Sequence, residues 1–130
     1  MSPSPEDRRL TSLQLAVFRV LWKRGEASVA QVHAALVEDR GLAATTVATL
    51  LKRLEARGIL EHRSEGRQFI YRALVDAEEV GRTMTSELVE DVYAGDVTGM
   101  FAHLLDAKGV SPEDLAKIRR LIAEAEERGG

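Results

Sequence analysis

The sequence predicts a mainly α-helical protein with one small β-hairpin, ordered as three short helices, the hairpin, and three further amphipathic helices. Three observations predict this. Apolar residues recur at helical spacing in stretches closed by Gly25, Gly41 and Gly58. Two β-prone runs then flank Ser64-Glu65-Gly66-Arg67, and beyond Ala73 the pattern is helical and acidic to the end.

The chain has 130 residues, enough for one domain or two small modules and few for a large two-domain enzyme. Hydrophobic residues make up 45% and charged residues 30%, the mix of a globular protein. The absence of cysteine excludes a disulfide framework, thiolate catalysis, Cys-ligated zinc and iron–sulfur clusters. No window approaches 18 consecutive apolar residues and the opening MSPSPEDRRL lacks an apolar core, so neither a membrane span nor a signal peptide is expected. A cytoplasmic location follows as an expectation.

Residues 1–9 mix Ser, Pro and charge without periodicity and are expected to form a flexible tail. Thr11 and Gln14 make a capping box for a first helix reaching about Arg24. Leu13, Ala16, Val17, Val20 and Leu21 form one stripe on it, and Leu15, Phe18 and Trp22 another, so it is expected to be buried on two faces, with Gly25 as its left-handed C-terminal residue. Ser28 and Gln31 cap a second helix, with Val29, Val32, His33 and Leu36 on one face and its end near Asp39. A third helix runs from Ala44 to Arg57, with Val47, Leu50, Leu51 and Leu54 facing inward and Gly58 ending it. Strands Ile59 to Arg63 and Gln68 to Ala73 complete a hairpin around a four-residue turn.

Three helices and a hairpin in this order make a winged helix-turn-helix module, assigned to residues 10–73. The outward face of its third helix carries Thr45, Ala48, Thr49 and Lys52, flanked by Thr46 and Arg53, and the hairpin adds Arg63, Arg67 and Arg72. Short hydroxyl and methyl groups suit base edges in a major groove, and longer cations suit phosphates, so these nine residues are the candidate DNA contacts. The net charge of −3 conceals this. Residues 1–73 hold 12 Lys and Arg against 8 Asp and Glu, a +4 module, whereas residues 74–130 hold 6 against 13 and carry −7.

After Ala73, Asp76 caps a helix to about Tyr93 with Val80, Met84, Leu88 and Val92 on a drifting stripe. A short apolar helix from Val97 to about Ala107 follows, then one opened by Ser111-Pro112-Glu113-Asp114. These helices span about 55 residues, too few to bury much of their own surface. A second copy is therefore the expected cover, making residues 74–128 a helical dimerisation domain through Met84, Leu88, Val92, Met100, Phe101, Leu104, Leu115, Ile118, Leu121 and Ile122. Folding back onto the first module is the competing expectation.

The chain resembles the penicillinase-repressor (BlaI/MecI-type) family of bacterial transcriptional repressors. The resemblance rests on Leu15-Ala16-Val17-Phe18-Arg19-Val20-Leu21-Trp22, on Thr45 to Leu54 ending in Gly58-Ile59-Leu60, on Phe69-Ile70-Tyr71 and on Tyr93-Ala94-Gly95-Asp96. It implies a homodimer binding a palindromic operator in double-stranded DNA through its winged helices, with the C-terminal helices as dimer interface. It also implies, for the well-known members, a membrane sensor-protease whose signal leads to cleavage of an Asn-Phe bond. Here His103-Leu104 stands at that position, a departure from the family pattern, and the cysteine cluster of the copper-responsive branch has no counterpart.

A catalytic function has no support: there is no nucleophile–base pair, no nucleotide-binding glycine motif and no cofactor signature. His33, His62 and His103 are 29 and 41 residues apart, unlike metal ligands on one helix, so no metal is expected. His33, on an apolar face, reads as a satisfied core residue, and the acidic run 124–127 as a solvated helix end. Two alternatives remain from the residues alone: a winged-helix module that binds protein, and a ligand-responsive winged-helix regulator.

Overall fold

The computed structural model describes residues 10–129; the tail expected over residues 1–9 lies outside them. Local side-chain bonds set where its first helices begin. In α1 (Ser12–Arg24) the Thr11 hydroxyl accepts from the Gln14 amide while Gln14 accepts from the Thr11 amide, and Ser28 with Gln31 repeats this at α2 (Val29–Arg40). Gly25 closes α1 at φ 85 and ψ −46, a positive-φ conformation but outside the left-handed helical basin expected for it. It still bonds its N–H to the Leu21 carbonyl at 2.8 Å.

The hairpin is tighter than its sequence suggests. Strands β2 (Leu60–Glu65) and β3 (Gln68–Ala73) pair antiparallel from Leu60↔Ala73 to Glu65↔Gln68, which leaves a two-residue loop, Gly66-Arg67, in place of the expected four. Gly66 has φ 62 and Arg67 does not have positive φ, the pattern of a II′ turn whose first central position favours glycine. A further strand, β1 (Ala27–Ser28), pairs with β3 on its other edge, Ala27↔Tyr71 and Ser28↔Ile70, so the sheet order is β1-β3-β2. Two residues cannot show an alternating pattern, which is why β1 was not expected.

The first core gathers Val17, Phe18 and Leu21 from α1, Val32 and Leu36 from α2, and Val47, Leu51 and Leu54 from α3 (Ala44–Ala56), under Ile59, Leu60 and Tyr71. Both faces of α1 contribute, since Leu15 and Trp22 also pack against it. The Trp22 indole N–H donates to the Val75 carbonyl at 2.9 Å, and His33 Nε2 meets the Leu42 carbonyl at 2.9 Å, the satisfied role expected of that histidine. Leu51 is fully buried, so Leu51→Ala should cost about 2–5 kcal/mol and lower the melting midpoint by about 10 °C or more. A calorimetric loss below about 1 kcal/mol would mean that α3 is not seated on its leucine face.

The division between compact units falls at Glu87/Leu88, inside α4 (Ala77–Asp91), and not at Ala73. Val75 and Val80 are buried in the first core, and Met84 packs against it and is partly covered within its own chain. The charge step at Ala73 reports surface composition, whereas the unit boundary follows burial.

The second unit contains α5 (Val97–Asp106) and α6 (Pro112–Glu127). Asp96 accepts from the Gly99 amide at 3.0 Å, and Ser111 with Asp114 forms a third capping box with Pro112 in the first turn. α4 stops at Asp91, earlier than expected, and Ala94 turns the chain at φ 50. From Leu88 to Gly129 no described residue is buried.

Candidate nucleic-acid interface

α3 has three distinct stripes. Val47, Leu51 and Leu54 fix it to the core. Its remaining surface splits between two concavities. Thr45, Thr46, Thr49 and Arg53 line a groove of about 380 Å³ with Leu13 and Leu50. Ala44, Ala48 and Lys52 form one wall of a cleft of about 470 Å³, opposite Arg67, Gln68, Phe69 and Tyr71 of the hairpin and above Ser28, Val29 and Ala30. The six candidate contacts on α3 are thus brought together as one surface with two flanks, and all but the half-buried Ala48 are exposed.

The three candidate arginines of the hairpin are not equivalent. Arg63 bonds Glu26 and Glu65, each at 2.6 Å. The hydrogen bonds it donates to Glu26 and then to Glu65 push its pKa up, and the same guanidinium holds the Glu26 carboxyl below its ordinary range. Arg72 is bound to Glu61 across the β2–β3 pair. Arg67, at the tip, makes no ion pair among the described residues, and neither do Lys52 and Arg53. Of the five candidate cations, three are therefore without an ion pair among the described residues, while Arg63 and Arg72 already have carboxylate partners.

The sequence reading missed Glu26, whose partner lies 37 positions away, and the cleft floor of Val29, Ala30 and Gln68. Of the cleft's hairpin wall, Phe69 was visible in the sequence through the Phe69-Ile70-Tyr71 run, and the structure leaves it 41% exposed. The N-terminus of α3 lacks a side-chain cap, because Ala43 occupies the N-cap position and has no side-chain hydrogen-bonding group.

Among the described residues no group of three or more His, Asp or Glu could hold a metal ion, and no helix is long and apolar enough to cross a membrane. His103 and Leu104 lie inside α5, where Tyr93 shares a 2.9 Å hydrogen bond with His103 Nδ1.

Comparison with known proteins agrees with this geometry. The family model "Penicillinase repressor" matches residues 10–124. The chain is 24% identical over 120 residues to the penicillinase repressor of Bacillus licheniformis, covering 92% of this chain and 94% of that protein. It is 33% identical over 120 residues to the transcriptional regulator BlaI of Mycobacterium tuberculosis, covering 91% and 86%. The solution structure of the DNA-binding domain of the repressor BlaI superposes with a TM-score of 0.50 at 29% identity, over 55% of this chain and 88% of that one. That domain is a winged helix, and its members are repressors without enzymatic activity. Matched over residues 10–124, the chain belongs to the penicillinase repressor family, and it is a DNA-binding transcriptional repressor.

Proposed function

We propose that the protein works in the cytoplasm as a homodimer on a palindromic operator, each α3 in a major groove, and represses by blocking access of polymerase. The observation that carries this reading is the uncovered apolar surface of the second unit. Val92, Leu121 and Ile122 are 67%, 62% and 53% exposed, and Leu88, Phe101 and Leu104 are each at least 40% exposed. Apolar side chains in such number seek a cover, and a symmetric second copy supplies an identical face. A two-fold dimer in turn reads a two-fold operator, with half-sites about one or two helical turns apart.

On the DNA, Thr45, Thr46, Ala48 and Thr49 are proposed at base edges, and Lys52, Arg53 and Arg67 at phosphates. Arg63 and Arg72 are assigned to bracing the wing. Footprinting on operators selected from genomic fragments tests the proposal: two protected, symmetry-related major-groove segments are expected. Thr49→Ala should change the preferred base at one position per half-site, by about 1–3 kcal/mol, with little loss on random DNA. A single asymmetric footprint, or unchanged preference in Thr49→Ala, would count against it.

A further inference from the structure

Glu55 is out of place on a surface that binds phosphates. It continues the cleft stripe of α3, three positions after Lys52 and seven after Ala48, so its carboxylate stands on the flank that faces the wing. Both of its oxygens lie 2.7 Å from His62 Nδ1, whose ring N–H donates to them. The His62 ring stacks on Phe69 with centroids 4.1 Å apart and planes 23° from parallel, and meets Tyr71 at 5.5 Å. Tyr71 is buried, and that burial, followed by the Glu55 charge, pushes its phenol pKa up. A continuous line of contacts therefore joins the last turn of α3 to β3, the strand that follows Arg67.

The hairpin needs such a tie. β1 supports β3 only at Ile70 and Tyr71, the partners of Arg63 and His62, so beyond them the part from Ser64 to Phe69 is a two-stranded ribbon, which has little stability of its own. Neighbouring residues of β2 point to opposite faces. Arg63 holds one face to Glu26, and His62 holds the other to Glu55. We propose that Glu55 and His62 form a strut that sets the separation of the recognition helix and the wing, so that Lys52 and Arg67 meet the same phosphate backbone across the cleft. Glu55 is then a positioning residue and touches no DNA. The inference rests on the reading of α3 and the hairpin as the DNA surface.

The test has opposite signs for the two roles a carboxylate can play. Full-length wild type, Glu55→Ala, Glu55→Gln and His62→Ala are titrated against a selected operator and against a random duplex of equal length. If Glu55 were only a surface charge, removing it would relieve repulsion and tighten binding to both. The strut predicts that Glu55→Ala and His62→Ala weaken operator binding by about fivefold to tenfold and make its salt dependence shallower, as expected when one phosphate contact per protomer is misplaced. Glu55→Gln, which still accepts from His62, should recover most of the loss, and melting midpoints should stay near wild type because the pair is about 30% exposed. Tighter operator binding by Glu55→Ala, or equal behaviour of the Ala and Gln variants, overturns the strut. Failure of wild type to prefer operator over random duplex overturns the underlying reading of the DNA surface, and the strut with it.

Discussion

Leu121→Asp should turn the proposed dimer into a monomer in sedimentation equilibrium and lower operator affinity by about a hundredfold or more. Leu121 is 62% exposed within its own chain, so the substitution removes nothing from a core and should leave the melting of the first unit unchanged. In a two-fold interface, however, the carboxylate appears twice and is buried without a partner. An unpaired buried charge costs several kcal/mol, and each 1.4 kcal/mol is a factor of ten. Ile118→Asp should act in the same direction, although Ile118 is already half-buried in the chain and its replacement also disturbs local packing. Dimers that persist in both variants would move the interface away from α6.

The second large effect is ionic. With Lys52, Arg53 and Arg67 unpaired among the described residues, the proposed dimer would present about six cations to phosphate, and log affinity should fall against log salt with a slope of about −5. Raising salt from about 50 to 200 mM then weakens binding roughly a thousandfold. Arg67→Ala should make the slope shallower by about 2 in the dimer and weaken all duplexes alike, whereas Arg63→Ala should change it little because Glu26 and Glu65 already neutralise Arg63. Equal effects of the two substitutions would show that the wing pairs dissolve on DNA. A slope near zero would remove phosphate contact as the main source of affinity.

What could be read from the sequence was whatever is encoded locally. The three capping boxes, at Thr11, Ser28 and Ser111, each lie within four residues, and the Val47–Leu54 stripe needs only helical periodicity. The same locality explains the family resemblance, since its motifs are short and contiguous. Pairings between distant residues were out of reach. Glu26 meets Arg63 and Glu55 meets His62 only because the sheet register brings them together, so Arg63 looked like a free phosphate contact and Glu55 like an ordinary surface acid. The packing of Met84 was hidden for a related reason: its stripe runs on into Leu88 and Val92, and nothing local says that the first half of the helix is covered by the N-terminal core.

The three stripes of α3 have a consequence for how such a protein changes over time. Val47, Leu51 and Leu54 carry its attachment to the core, Glu55 its link to the wing, and Thr45, Thr46 and Thr49 project into open space with no such duty. Substitutions at those threonines are nearly neutral for folding, because exposed positions away from caps and cores usually shift stability by less than about 0.5 kcal/mol. With those threonines at base edges, as proposed, operator preference can drift or be rewritten one side chain at a time, without a compensating change elsewhere in the chain.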